Sequence, residues 1–383
     1  MAIILKQRGI INKFNMAQKS SIVLAICMMV LSAAAKTGKI TFPPEALAVP
    51  ALSKSIASSF YSEELKRVLD HKKKESFILG KSMQGRKIEA HYFPGTSEKR
   101  ALIIGGVHGS ELSSIEVAKA LLSQLNDSTR LYYNVIVIPS LFPDNAETAR
   151  KCPSQIGDVK NVGRYSYAGA VDPNRQMPSP GRPFDEAEEL DHAGRKIEYE
   201  NTLLLDLIDQ YRPQRIVNLH AIRDTQHAGV FADPRTDHQS IALGYESDSS
   251  LAISIAKDIQ QNGGYIPGNN LNEKPTAVYY KDPVPVTAGQ FQKRNFTGST
   301  LPGHRGGGIS LGTWAATAVV DDHNPSKNRD AMRILTMEFP GSRRPVDYSS
   351  PAEQRYWEKQ VAIFAAALKN VFLQENFVEA GGS

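Results

Sequence analysis

Arg100-Ala-Leu-Ile-Ile-Gly-Gly-Val-His108-Gly-Ser-Glu111 decides how the rest of this chain is read. Its first half has the apolar density of a buried strand and ends on two glycines. Beyond it, Leu112, Ile115, Val117, Ala118, Leu121, Leu122 and Leu125 recur at helical spacing, which predicts a helix over 111–125. His108 and Glu111 therefore stand where a strand hands over to a helix, the rim of an open α/β sheet at which sites are usually built. An imidazole and a carboxylate three positions apart at such a turn can reach one small cation. Zn²⁺ accepts this nitrogen-and-oxygen set, and catalytic zinc usually takes three protein ligands plus water. The motif alone is weak, because a polar loop beside a helix start accounts for it equally well.

Working outward, three further stretches repeat the pattern. Arg215-Ile-Val-Asn-Leu-His220 is another short apolar run that ends in histidine. Ile334-Leu-Thr-Met-Glu338-Phe-Pro ends in a carboxylate followed by a strand-breaking proline. Asp172-Pro-Asn174-Arg175 lies in a Gly/Pro-rich loop between the first two, and an ordinary turn is the plain reading of those residue types. Two histidines and two glutamates, each at or just past a strand terminus, are hard to attribute to accident. Strand-like runs at 101–107, 133–139, 215–220 and 333–339 alternate with helical ones at 111–125, 197–211, 249–261 and 351–373. That order predicts α/β layering with a largely parallel central sheet.

In this order the stretches Ile78-Leu-Gly-Lys-Ser-Met-Gln-Gly-Arg86, Gly105-Gly-Val-His-Gly-Ser-Glu111, Val171-Asp-Pro-Asn-Arg175, Asn218-Leu-His220, Ser310-Leu-Gly-Thr-Trp314 and Leu335-Thr-Met-Glu-Phe-Pro340 resemble the zinc carboxypeptidase family. Within it, the similarity is to the bacterial murein peptide amidase branch. The resemblance runs from about Phe77 to Phe339 and implies a three-layer sandwich, with a mixed, largely parallel sheet and helices on both faces. It makes His108, Glu111 and His220 the ligands of one zinc ion per chain and Glu338 the general base. Asn174 and Arg175 become the clamp for a substrate carboxylate, and Asp172 the carboxylate that holds the first ligand histidine. The family also places an arginine near the scissile carbonyl; Arg164 is the better spaced candidate and Arg150 the alternative.

The chemistry needs those residue types. Three ligands leave a position for water, whose pKa falls toward about 7 on zinc. A neighbouring carboxylate can take its proton and pass it to the leaving amine. A planar guanidinium suits recognition of a chain-end carboxylate, and a carboxylate that accepts the spare N–H of His108 fixes its tautomer. One departure stands out. Family members carry a tyrosine shortly before the Ser-Leu-Gly-x-Trp stretch, whereas Leu301-Pro-Gly-His304-Arg305-Gly-Gly-Gly308 has none. His304, Arg305, Tyr279 and Tyr280 are the candidates to replace it, and a flexible glycine connection is the plain alternative.

Lys6, Arg8, Lys13 and Lys19 precede a 15-residue apolar run from Ser21 to Ala35 that ends in small residues. This reads as a signal peptide over 1–35, too short for a spanning helix, and predicts export to the periplasm or medium. Its removal lowers the net charge from +5 to +1, so the basic balance argues for no nucleic-acid partner. Cys152 is then the only cysteine left, which excludes an internal disulfide. Residues 36–75 read as a linker or strap, 76–376 as the catalytic domain with no stable membrane span, and 377–383 as a frayed tail. His192, His227, His238 and His323 read as surface residues, with His227 the first exception to test. The expected function is a zinc-dependent peptidase or amidase that acts on a carboxylate-bearing peptide, with peptidoglycan fragments as candidate substrates. Alternatives are an N-acyl amino acid deacylase of the succinylglutamate desuccinylase or aspartoacylase type, and a peptide-binding relative without catalysis.

Overall fold

In the computed structural model of the chain, residues 63–127, 130–156, 161–165, 171–273 and 307–375 are described. The expected leader, most of the expected strap, the tail from 376 and the candidate tyrosine replacements lie outside them. The strands are β1 Glu75–Lys81, β2 Lys87–Phe93, β3 Arg100–Ile104, β4 Asn134–Ile138, β5 Arg215–Ile222, β6 Gly229–Ala232 and β7 Arg333–Pro340. They form one sheet in the order β1-β2-β4-β3-β5-β7-β6. The four central strands β4, β3, β5 and β7 run parallel, and β1, β2 and β6 add to them antiparallel. The sheet is therefore mixed, with its parallel part at the centre.

Alternation along the central strands explains why both faces are covered. Ala101 and Ile103, Val135 and Val137, Val217 and Leu219, and Leu335 and Met337 belong to one core. Leu102 and Ile104, Ile136 and Ile138, Ile216 and Ile334 belong to the other. A strand buried on both faces reads as a continuous apolar run, which is how these four are written. The helices are α1 at residues 63–71, α2 Leu112–Asn126, α3 Pro143–Lys151, α4 Tyr199–Tyr211, α5 Glu246–Gln261, α6 Leu311–Ala315 and α7 Pro351–Ala367. Apolar faces of α2, α5 and α7 pack in the first core, and those of α1, α4 and α6 in the second. Leu65 and Val68 of α1 are buried there beside Phe77 and Leu79, so the folded body takes in residues ahead of position 76. In α7, Val361, Phe364 and Ala365 are buried and Tyr356 is 46% exposed. Among the described residues no helix is long and apolar enough to cross a membrane.

The hairpin of β1 and β2 is anchored by charge. Asp144, in the first turn of α3, accepts from Ser82 Oγ at 2.7 Å, from the Gln84 N–H at 2.9 Å and from Arg86 Nη1 at 2.6 Å. The Gly-Lys-Ser-x-x-Gly-Arg stretch thus locks the hairpin onto the helix that backs the candidate site.

Glu198 is a local cost of this fold. It caps α4 in extended conformation without a side-chain cap bond, and its buried Oε2 has no hydrogen-bond partner among the described residues. Burial, with the neighbouring Glu200 charge adding, pushes its carboxyl up to about 8. An unfolded glutamate titrates near about 4.3. Between these values the folded chain keeps a proton that the unfolded chain has lost, so this residue makes stability fall as pH rises. We predict that Glu198→Gln has a melting temperature close to the parent at pH 5 and above it at pH 8.5. Thermal melts at both pH values check this; a difference independent of pH would show that the carboxyl imposes no such penalty.

Candidate active site

β3 ends at Ile104, and the two glycines after it carry the chain off the sheet. Gly106 adopts φ +63, and a Cβ there would press at 3.0 Å on Ile115 and on the Ser140 backbone. Glycine alone takes that turn cheaply. Gly109 packs against the backbone of Asn145 and Ala146 in α3. The loop is thereby pinned, and His108 and Glu111 are held at the C-terminal edge of the parallel strands.

Glu111 is the N-cap of α2, yet its carboxylate makes no cap bond. It spans two histidines instead. Oε1 lies 2.9 Å from Nδ1 of His108, and Oε2 lies 2.9 Å from Nδ1 of His220. Oε2 also accepts the Ala221 N–H at 3.0 Å, and Oε1 accepts from Arg164 Nη1 at 2.7 Å. His108, Glu111 and His220 are 3%, 4% and 4% exposed, and one ligand atom from each lies within 4.8 Å of the others. Among the described residues this is the group of side chains able to hold a metal ion. Two imidazole nitrogens and one carboxylate oxygen at that spacing fit a tetrahedral dication with a position left open.

Asp172 orients the set. Its Oδ1 lies 2.8 Å from Nε2 of His108 and accepts the Asn174 N–H at 2.9 Å. With the imidazole proton on Nε2, donated to Asp172, the Nδ1 lone pair faces the point shared with Glu111 and His220. Burial opposes charge on all these groups, and their mutual attraction overcomes it. Glu111 is held well below the usual carboxylate range by His108 and His220. Asp172 is lowered by His108 and Arg164, and His108 is raised by Glu111 and Asp172.

Glu338 pairs in register with His220 across β5 and β7, so the two side chains emerge next to each other on one face. The residue is 8% exposed, and its carboxylate has no hydrogen-bond or ion-pair partner among the described residues. Burial pushes its pKa up; His220 works against this, and the charge on Glu111 adds to it. The loop that carries Asn174 and Arg175 is tied in from several sides. Asn174 Oδ1 accepts the Leu311 N–H at 3.0 Å, and its Nδ2 lies 3.4 Å from His220 Nε2. Arg175 Nη1 donates to the Asn174 carbonyl at 2.7 Å. Ser310 caps α6, which explains the Ser-Leu-Gly-Thr-Trp stretch as a support for Asn174.

The expected residues His108, Glu111, Asp172, Asn174, His220 and Glu338 thus converge, and Arg164 joins them through Glu111 and Asp172. Arg150 instead faces Glu147 at 3.6 Å on its own helix. His227 is exposed and pairs with Asp224 at 3.0 Å, away from the triad, as a surface residue should. Sequence reasoning missed Arg195, which ties the carbonyls of Arg175 and Gly307 together at 2.8 and 2.7 Å. Nothing in its local sequence signals that. It also gave no role to Asn218, though a polar residue two places before His220 in an apolar strand shares the face of that histidine. A cleft at the opposite edge of the sheet, lined by Arg212, Arg215, Arg329 and Arg333, holds none of these residues.

We predict that Asp172→Asn weakens divalent-cation binding by about 10- to 100-fold, because His108 loses the acceptor that fixes its tautomer. Competition with a chromogenic chelator measures this directly. Unchanged affinity would mean that Asp172 serves only the turn it caps.

One protein-family model covers most of the residues that make up this geometry. The zinc carboxypeptidase family matches residues 67–256, a stretch that contains His108, Glu111, Asp172, Asn174, Arg175 and His220 but ends before Glu338. No curated protein matches significantly. Among solved structures, the chain is similar to murein-tripeptide amidase MpaA from Escherichia coli O157, with 17% identity and a TM-score of 0.40 over 86% of this chain and 97% of that one. It is similar to carboxypeptidase A from Helicoverpa armigera, with 14% identity and a TM-score of 0.42 over 92% and 81%. A metallo-carboxypeptidase from Pseudomonas aeruginosa aligns with 16% identity and a TM-score of 0.42 over 82% and 68%. Residues 67–256, which hold the buried triad of His108, Glu111 and His220, match the zinc carboxypeptidase family.

Proposed function

We propose that this protein is an exported hydrolase that binds one zinc ion through His108, Glu111 and His220 and cleaves an amide bond in a carboxylate-bearing peptide. The observation that carries the reading is the Glu111 carboxylate held between two buried histidines, with the unpaired Glu338 in register beside them. A bound zinc ion supplies Lewis acidity, which makes water more acidic and an amide carbonyl more electrophilic. Glu338 takes the proton from the attacking water and hands it to the amine nitrogen as the carbon–nitrogen bond breaks. Its raised pKa suits that exchange, since a very weak base could not take the proton. Arg164, fixed by Glu111 and Asp172, offers a cation to the oxygen on which negative charge develops. Asn174 and Arg175 hold the substrate carboxylate.

Murein stem peptides are the proposed substrate class. The leader-like pattern of residues 1–35 supports a place outside the cytoplasm, where such peptides occur, and the order of the motifs supports the amidase branch. The same export argument disfavours an acylase of small cytoplasmic N-acyl amino acids. The direct test offers the zinc-loaded protein a panel of murein peptides, ordinary peptides and N-acyl amino acids, with mass spectrometry of the products. Cleavage next to a residue with a free carboxylate is expected. Turnover of N-acyl amino acids alone would overturn the peptidase reading.

Two substitutions test the roles. Glu338→Gln is nearly isosteric, and we predict that it keeps zinc and fold while turnover falls by about 10²–10⁴-fold. A variant with near-parental rate and full zinc content would point to another base. For Arg175, amidation of the substrate carboxylate and Arg175→Ala should each cost about 10- to 150-fold in kcat/KM, and little more in combination. Lys at this position should rescue only in part, because an ammonium cannot make the planar bidentate pair. Equal rates on acid and amide with the parent protein would remove the clamp from Arg175.

A further inference from the structure

Two segments far apart in sequence meet at Asn174 and Arg175. One is the loop 172–177, and the other runs from Gly307 into α6. Leu311 donates its N–H to Asn174 Oδ1 at 3.0 Å, and Met177 donates to the Ile309 carbonyl at 3.2 Å. At Gly308 the two backbones touch. This residue adopts φ +124, and a Cβ there would collide with the Arg175 carbonyl oxygen and with Nη2 of Arg195. Glycine alone satisfies both that backbone conformation and that approach. The glycines before Ser310 resemble a flexible connection in the sequence, yet Gly308 is a fitted contact.

Arg195 occupies that junction. Its Nη2 donates to the carbonyls of Arg175 at 2.8 Å and of Gly307 at 2.7 Å, so one nitrogen joins the two segments. Asp191 aims the guanidinium, with its Oδ2 accepting from Arg195 Nε at 2.7 Å. A tight turn sets Asp191 in its place. Its Oδ1 accepts the N–H groups of Ala193 and Arg195 at 2.9 and 2.8 Å, and Gly194 takes φ +72 within the turn. The His192 N–H, in the same turn, donates to the Met177 carbonyl at 3.0 Å. The Arg195 and Asp191 side chains are 11% and 0% exposed, which strengthens these bonds by keeping water away. A planar guanidinium held by a carboxylate on one side and two carbonyls on the other has one orientation. An ammonium on a flexible stem cannot reproduce it.

We propose that Arg195, aimed by Asp191, is a positioning residue for the carboxylate clamp: by locking the Arg175 backbone against Gly307 and Gly308, it sets how well a substrate carboxylate is held. The inference deepens the peptidase reading and rests on its assignment of Arg175. The Arg175 side chain bonds back to the Asn174 carbonyl at 2.7 Å, so its guanidinium is tied to the same short stretch of backbone that Arg195 grips. Release of that grip moves the clamp as a unit. A misplacement of about 1 Å in a positioning group can cost about 100-fold in rate.

The test measures kcat and KM on one peptide as the free acid and as its C-terminal amide, for the zinc-loaded parent, Arg195→Lys and Gly308→Ala. Neither substitution strands the Asp191 carboxylate without a cation. In both variants the parent's preference for the acid should fall by about 5- to 50-fold in kcat/KM. The fall should come through a higher KM for the acid, with zinc content at the parental value. A residue that only holds the loop together would slow acid and amide alike. An equal loss on both substrates, or the parental preference kept in both variants, therefore overturns the proposal. Asp191→Asn loosens the guanidinium but keeps an acceptor for the turn; it replaces either variant that fails to fold and should show the same fall. A parent that does not distinguish acid from amide removes the clamp from Arg175 and overturns this proposal with it. A preference that survives in the variants removes Arg195 alone.

Discussion

One buried carboxylate, Glu111, sets the terms for the rest of this molecule. Its two oxygens face two histidines that come from strands far apart in sequence, and it lies between them with almost no access to solvent. That arrangement requires the C-terminal ends of β3 and β5 to be adjacent, which antiparallel neighbours would not provide. Parallel pairing of β3 with β5 and of β5 with β7 brings His108, His220 and Glu338 to a single edge. The parallel centre in turn requires crossover helices on both faces; the apolar stripes of α2, α4 and α5 supply them, and the closing helix α7 adds to the cover. The mixed outer strands are free of this demand, and they are the part of the sheet that runs antiparallel.

Legibility in the sequence follows the same division. The four central strands could be read because burial on both faces writes them as unbroken apolar runs, and their boundaries fall within two or three residues of the structure. The outer strands carry the alternating code of one-sided burial. In Lys87-Ile-Glu-Ala-His-Tyr-Phe93 the buried Ile88, Ala90 and Tyr92 alternate with charged or polar residues, a signal that long apolar runs elsewhere overshadowed. β6 has only four residues and no flanking signal of its own. The candidate ligand residues were legible because each lies at or just past the end of an apolar run. Arg164 was harder, because its role depends on a loop that folds back onto Glu111 and Asp172. Spacing already favoured Arg164, and the structure sets Arg150 against Glu147 on its own helix. Arg195 was illegible, since its partners are backbone carbonyls at distant positions.

The charge arrangement carries the chemical argument one step past geometry. Glu111, Asp172 and Glu338 are three nearly buried carboxylates gathered around two histidines, and among the described residues Arg164 is the cation that pairs with them directly. Buried charge of one sign is expensive unless it is balanced. With both histidines neutral, as ligation at Nδ1 and donation from Nε2 require of His108, the cluster is short of positive charge by about the amount a dication brings. A proton on His108 offsets part of the same shortfall, as burial is outweighed by the attraction of Glu111 and Asp172 that raises its pKa. Protons and metal therefore compete for one set of lone pairs, and binding of the ion must release the protons that otherwise hold the cluster together. Glu338 stands apart from that competition. Among the described residues it has no hydrogen-bond or ion-pair partner, and burial raises its pKa.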